Sequence, residues 1–417
     1  MIYTTQFCET TSWQKPESMN PDLNKLKSYP FEKLLQLKTG ITPPEGLEPI
    51  ALSIGEPKHE VPNFVAPELL KHLSSLGQYP LSKGTDELRQ CISDWLTRRF
   101  HLNEGSVSPA EHVIPVNGTR EALFAFAQAV VDRQQNPLVI MPNPFYQIYE
   151  GAALLAGAEP YYLNTVAETH FVPDFEQVPA QVWSRCQLLY LCSPGNPTGA
   201  VMDLPSLQKL IQLADEHDFI IASDECYSEI YFDETAPPPG LLQAAQAMGR
   251  TDFKRCVVFH SLSKRSNVPG LRSGFVAGDA AVLKKFLLYR TYHGCAVPLF
   301  IQATSIALWN DEEHVRQNRD IYRHKFDSVL KVLQPHLQVE HPQAGFYLWP
   351  QTPSDDETFA KELYRSQNIT VLPGTYLSRD TSDGNPGKNR VRIALVATES
   401  QCLEAANRMV SFIQKGI

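Results

Sequence analysis

The stretch "HVIPVNGTREALFAFAQAVV" (residues 112–131) changes period at its centre. "HVIPV" is a short apolar run and reads as a strand. Beyond Asn117-Gly118, the residues Leu123, Phe126, Ala127, Val130 and Val131 fall on one face of a helix. A strand thus runs through a glycine turn directly into a helix, and the chain repeats the pattern. "PLVIM" (137–141), "QLLYLC" (187–192), "FIIAS" (219–223), "CVVFH" (256–260) and "GFVAG" (274–278) are further short runs. They are continuously apolar rather than alternating, the pattern of strands covered on both faces. Helical patterns separate most of them, for example "DLPSLQKLIQLADEHD" (203–218). This order predicts an α/β domain built on a mostly parallel sheet.

From about residue 300 the texture changes. A helical stretch, "EHVRQNRDIYRHKFDSVLKVL" (313–333), leads to sparse strands at "GFYLW" (345–349), "ITVLP" (369–373) and "RVRIALV" (390–396). A closing helix is marked by the capping-box pattern Thr398-x-x-Gln401. The expected division is an N-terminal arm with part of a smaller domain (1–60), a large domain (61–300) and a smaller α+β domain (301–417). Residues 1–18 are polar and patternless and read as an arm or an upstream extension. "SRDTSDGNPGKN" (378–389) reads as an exposed loop.

Composition narrows the function. Lys and Arg total 37 against 46 Asp and Glu, a net charge of −9, which argues against nucleic acid or an anionic membrane as partner. No apolar stretch approaches a membrane span. "MIYTTQFCETTSW" has neither a basic n-region nor an apolar h-region, so no signal peptide is expected. The eight cysteines form no CxxC pair, and Cys186, Cys192 and Cys256 read as buried thiols. A reducing, cytoplasmic compartment is expected. HExxH, GxGxxG and Walker patterns are absent, so no metal site is expected.

In open α/β sheets, ligands sit beyond the carboxyl ends of the strands. There "HVIPV" leads to Asn117-Gly118-Thr119 at a helix start, and "PLVIM" to Pro142-Asn143-Pro144-Phe145-Tyr146. "QLLYLC" leads to Ser193-Pro194-Gly195-Asn196-Pro197-Thr198-Gly199, and "FIIAS" to Asp224-Glu225-Cys226-Tyr227. "CVVFH" leads to Ser261, Ser263 and Lys264 in "SLSK", with Arg272 eight residues further on. Singly, each has an ordinary reading. Asn117-Gly118-Thr119 is a common helix cap, Tyr146 a packing residue, Asn196-Pro197 a turn, Asp224 a cap, Lys264 a solvated charge, and Arg272 or Arg392 a surface ion pair. Six such coincidences on one rim make the joint ordinary reading a poor one. A lysine able to form a Schiff base, a carboxylate for a pyridinium nitrogen and an anion site at a helix start together describe pyridoxal 5'-phosphate.

The blocks "NGTREAL", "NPFYQIYEG", "CSPGNPTG", "SDECYSEI", "SLSKRSNVPGLRSGF" and "RVRIAL" carry a resemblance across residues 117–394, and "LSIGEP" and "YPLSKGTDELR" extend it upstream. The chain resembles the class I/II aminotransferases of the fold-type I pyridoxal-phosphate enzymes. The segment from Met19 and "SKRSNVPGLRSGFVAGD" resemble the N-succinyl-diaminopimelate aminotransferase group most. The resemblance implies a seven-stranded, mostly parallel sheet between helices plus a smaller α+β domain. It implies that Lys264 binds the cofactor aldehyde and that its freed amine carries the proton between substrate α-carbon and cofactor C4'. Asp224 is implied as partner of the ring nitrogen, Tyr227 and Asn196 as donors to the phenolic oxygen, and Tyr146 as the stacking ring. Gly118, Thr119, Ser261, Ser263 and Arg272 are implied around the phosphate, Arg392 at the substrate α-carboxylate with Gly55 closing over it. The Asn143–Pro144 and Asn196–Pro197 bonds are expected to be cis.

Tyr79 is implied to reach the phosphate of a neighbouring subunit, giving a homodimer with shared sites. The implied substrates are an amino acid and a 2-oxo acid, with glutamate as donor and N-succinyl-2-amino-6-oxopimelate as acceptor. Other members of the class, acting on aspartate, alanine or aromatic amino acids, remain open. So does a pyridoxal-phosphate C–S lyase or synthase, which shares nearly all the cofactor motifs. A regulator with an aminotransferase-like domain lacks room for a DNA-binding module in the roughly fifty residues before "LSIGEP". For a second substrate carboxylate the sequence offers Lys58, Lys83 and Arg265, none tied to that role by spacing.

Overall fold

The computed structural model describes residues 20–416. The expectation for residues 1–18, and the residue Met19, lie outside that span.

Seven strands form the central sheet: β1 (Val113–Val116), β2 (Leu138–Asn143), β3 (Glu159–Asn164), β4 (Cys186–Cys192), β5 (Ile220–Asp224), β6 (Cys256–Ser261) and β7 (Gly274–Gly278). Their spatial order is β1-β7-β6-β5-β4-β2-β3. The run from β6 to β3 is parallel, whereas β7 is antiparallel to both neighbours. Side chains alternate between two cores. Leu138, Ile140, Leu189, Leu191, Ile221 and Val258 enter one apolar cluster. Val139, Met141, Leu188, Tyr190, Ala222 and Val257 enter the cluster on the opposite face. That double burial is why these strands are continuously apolar in sequence. Helix α1 (Thr119–Val130) packs its Leu123, Phe126 and Ala127 on the second face.

Helix α2 (Glu313–Leu333) coincides with the expected stretch, and helix α3 (Glu399–Gln414) starts with the expected Thr398/Gln401 capping box. They cover a three-stranded sheet of Tyr347–Leu348, Leu372–Pro373 and Val391–Ala394. Ile50, Leu52, Phe326, Leu330, Ile393 and Met409 share one cluster there, so the segment around residue 50 packs with the C-terminal elements. Residues Ile50–Ala51 pair in parallel with Ile369–Thr370. Among the described residues no helix is long and apolar enough to cross a membrane. Cys186 and Cys256 are buried as expected. Cys192 is only partly so, because it ends β4 at the open rim.

Candidate active site

The register of the sheet assembles one edge. Val116 and Ser261 both pair with Gly274, and Cys192 pairs with Asp224. The carboxyl ends of β1, β4, β5 and β6 therefore lie side by side. Because β7 runs the other way, its amino end arrives at the same edge, and Arg272 comes with it. A cleft of about 520 Å³ opens there. Its lining includes Gly55, Thr119, Tyr146, Asn196, Asp224, Tyr227, Ser261, Ser263, Lys264, Arg272 and Arg392, together with Tyr29, Arg120 and Tyr347.

At the helix start, Gly118 caps α1 with φ +83° and ψ 151°, a conformation that only glycine adopts without strain. A Cβ there would lie 2.8 Å from Arg272 Cζ. The Arg272 guanidinium donates to the carbonyls of Pro269 (2.9 Å) and Asn117 (3.4 Å). Ser261 caps the short helix Leu262–Arg265 by accepting from the Ser263 amide. Two helix starts, two serines, a threonine and an arginine thus converge, a donor set suited to a phosphate.

Deeper in, Asp224 is buried, and its Oδ2 accepts from the Tyr149 hydroxyl at 2.7 Å. Burial raises its carboxyl above the ordinary range despite hydrogen bonds from Cys226 and Tyr149. A cation opposite it in the cleft would relieve that cost. Lys264 donates from Nζ to the Gly55 carbonyl. Burial first, and then the charge of Arg392, holds its amine down at about 8. A lysine with so low a value is readily deprotonated, the state a nucleophilic amine needs.

Arg392 is 5 % exposed. It donates to Asn196 Oδ1 (3.0 Å) and to the Ser53 carbonyl (2.7 Å), lies 4.6 Å from the Tyr347 ring centroid, and has no partner for its Nε. No carboxylate among the described residues pairs with it, so a buried cation faces the cleft ready for an anion. Gly55 sits alongside, and a Cβ on it would overlap the Tyr347 hydroxyl and approach Cζ to 2.7 Å. Tyr227 is buried and its hydroxyl meets that of Tyr347 at 3.0 Å; burial pushes its phenol well up. The Asn143–Pro144 and Asn196–Pro197 bonds are cis, as is Ser193–Pro194. The residues present fit pyridoxal phosphate: an anion cradle, a buried carboxylate and a deprotonatable lysine face one cleft.

Three expectations meet a different arrangement. Arg265 is not available to a substrate: it is fully buried against Trp95 and Trp309 and held by Glu312 and the Leu308 carbonyl. Lys58 and Lys83 are exposed and do not line the cleft. The additional cation is Arg120, which donates from Nε to the Tyr146 hydroxyl (2.6 Å) and from Nη2 to that of Tyr29 (3.0 Å). Its only signal in sequence is its place one residue after the Gly118-Thr119 cap. Tyr149 and Tyr347, which orient Asp224 and Tyr227, also went unread. Tyr79 is fully exposed and outside the cleft of its own chain.

This cleft is that of a pyridoxal-phosphate enzyme of the aminotransferase fold. The profile of the family described as Aminotransferase class I and II matches residues 48–409, and the chain belongs to that family, which is pyridoxal-phosphate-dependent. It is similar to an aminotransferase of Neisseria meningitidis Z2491, whose crystal structure superposes with a TM-score of 0.90 at 50% identity, covering 94% of this chain and 100% of that one. An LL-diaminopimelate aminotransferase of Nitratidesulfovibrio vulgaris (strain Hildenborough) is 30% identical over 93% of this chain and 97% of its own. A probable N-succinyldiaminopimelate aminotransferase of Thermus thermophilus superposes with a TM-score of 0.81 at 25% identity, covering 91% and 99%.

Proposed function

We propose that the protein moves an amino group between glutamate and N-succinyl-2-amino-6-oxopimelate, in the succinylase branch of lysine and diaminopimelate biosynthesis. The observation that carries the reading is Arg120. Among the described residues, four cations line the cleft: Arg120, Lys264, Arg272 and Arg392. In this reading Lys264 serves the cofactor aldehyde, Arg272 the phosphate and Arg392 the substrate α-carboxylate. Arg120 is left, held by two tyrosine hydroxyls rather than by a carboxylate. A substrate with a distant carboxylate exchanges those neutral contacts for a charge-assisted one. Glutamate and a succinylated pimelate both carry such a group.

The bound pyridoxal ring supplies an electron sink for the substrate α-carbon. Asp224 keeps the ring nitrogen protonated, and Tyr146 packs on its face. Tyr227 and Asn196 donate toward the phenolic oxygen. Gly118, Thr119, Ser261, Ser263 and Arg272 bind the phosphate. Arg392, with Gly55 alongside, orients the α-carboxylate, and the Lys264 amine moves the proton at the α-carbon. Tyr79 completes the phosphate site of a second subunit in a homodimer. Its full exposure, beside Leu70, Leu76 and Leu81, which are also exposed, supports that assignment.

The second reading takes LL-diaminopimelate itself as donor, which the relative from Nitratidesulfovibrio favours. The test compares kcat/KM for N-succinyl-diaminopimelate, LL-diaminopimelate, aspartate, alanine, phenylalanine and N-acetylornithine, each with 2-oxoglutarate. The succinylated substrate is expected to lead. Any other leader removes the pathway assignment and leaves the aminotransferase standing. Arg120→Met should lower kcat/KM about tenfold for the succinylated substrate and leave alanine nearly unchanged.

A further inference from the structure

Behind the cleft lies a polar chain that the chemistry above leaves unused. Lys325 on α2 is buried, with its Nζ 2.6 Å from His59 Nε2 and 3.2 Å from the Leu395 carbonyl. No carboxylate pairs with it among the described residues. Tyr322 presents its ring 5.2 Å away, and Glu399 and Cys402 act on the ammonium from α3. His59 Nδ1 is 2.7 Å from Asn318 Oδ1, on the same helix as Lys325 and two turns before it. That oxygen also accepts from Asn267 Nδ2 at 3.0 Å, and Asn318 Nδ2 points to the main-chain carbonyl of Lys264 at 3.4 Å.

The direction of these bonds follows from the charge on Lys325, whose ammonium is held down at about 8 by burial and is protonated below that pH. An ammonium only donates, so His59 Nε2 accepts. A neutral imidazole then carries its proton on Nδ1 and donates to Asn318. Burial, and then the charge of Lys325, holds the ring down at about 4, so it stays neutral. Two donors on Oδ1 set the amide orientation and turn Nδ2 toward Lys264.

We propose that Lys325, His59 and Asn318 are positioning residues, a one-way hydrogen-bond relay that fixes the main chain of Lys264 while its side chain moves. The inference rests on Lys264 being the reacting lysine. His59 lies four residues beyond Gly55, whose carbonyl accepts from Lys264 Nζ. One segment therefore touches the tip of Lys264 and, through the relay, its backbone. The helix carrying it, Leu262–Arg265, is a single turn and cannot hold its own geometry. An amine that must leave Gly55 and reach a substrate carbon needs an immobile pivot, and the relay supplies one.

The test uses the cofactor-loaded enzyme and the variants Lys325→Met, His59→Leu, Asn318→Leu and the His59→Leu/Asn318→Leu pair. Each single variant should retain the visible band of the cofactor-bound lysine but move its pH midpoint by about half a unit. kcat should fall about three- to tenfold, KM should change less than about twofold, and the double variant should be no worse than the worse single. Midpoint and kcat at wild-type values in a folded variant, or losses that multiply in the double, overturn the relay. Lys325→Met keeps the unbranched shape of the side chain and all but the last atom of its length, and decides alone if the leucine variants unfold. If it unfolds as well, the three residues hold the fold rather than the lysine, and the proposal fails. Absence of a visible band in the wild-type enzyme instead strikes the assignment of Lys264.

Discussion

Gly118→Ala should weaken cofactor binding by about ten- to a hundredfold and should, separately, destabilise the protein. The two effects have different sources. At φ +83° and ψ 151° an alanine is strained by about 1–3 kcal/mol. That strain exists with or without cofactor, so it appears in the unfolding of the apoprotein and cancels from cofactor affinity. The added Cβ also overlaps the Arg272 guanidinium. The guanidinium, the far end of a flexible side chain, has to shift, and the shift is expected to break its anchors on the Pro269 and Asn117 carbonyls and draw it from the cradle. Losing one hydrogen bond to a charged group costs about 1.5–3 kcal/mol. At about 1.4 kcal/mol per decade that is one to two orders of magnitude in Kd. Titration of apoprotein with pyridoxal phosphate, read by visible absorbance, measures the affinity, and denaturant unfolding measures the stability. Arg272→Ala is the control and should lose affinity without the strain. Unchanged affinity in Gly118→Ala, with stability reduced as expected, would refute the assignment of Arg272 to the phosphate.

Lys264→Ala should lose the pH-dependent visible band and nearly all turnover; a band surviving dialysis removes the assignment. Burial lowers Lys264 from 10.5 to about 8, so between those values the unfolded chain binds more protons than the native one. Stability of the apoprotein should therefore rise as pH climbs through that window, and Lys264→Met should show a smaller rise. Equal slopes in pH-dependent unfolding would contradict it. Arg392→Lys, which keeps the charge and loses the fork, should reduce kcat/KM about a hundredfold for every amino acid tested; a loss confined to dicarboxylic substrates would instead place Arg392 at the distal end. Mixing Tyr79→Phe with Lys264→Ala subunits should form hybrid dimers with one intact site, whereas strictly additive parental activities would exclude a shared one.

The six strands read from sequence share one property, burial on both faces, which writes a continuous apolar run. β3 lies at the sheet edge with most of its residues partly exposed, so "EPYYLN" carries no such run, and the seventh strand was implied only by resemblance. Strand direction is also silent: nothing in "GFVAG" marks β7 as reversed. Most of the residues proposed for the cofactor could be picked out because they stand at or just beyond a strand end in the chain. Arg120 was not, because its partners, Tyr29 and Tyr146, are 91 and 26 residues away. Arg265 misled for the converse reason, since charge in sequence does not disclose that Trp95 and Trp309 enclose it.

The reversal of β7 makes one short loop a measuring rod. Lys264 and Arg272 stand at the two ends of a nine-residue segment, and in the proposed assignment one faces the cofactor aldehyde and the other its phosphate. The span is clamped on one side by β6 and on the other by β7, whose Phe275 and Ala277 enter one core and Val276 the other. Shortening the loop by a single residue cannot be absorbed by sliding β7, because a one-residue slip would exchange the two faces and turn each of those side chains into the wrong core. In that assignment, the spacing of the two cations is held by hydrophobic packing well away from the cleft.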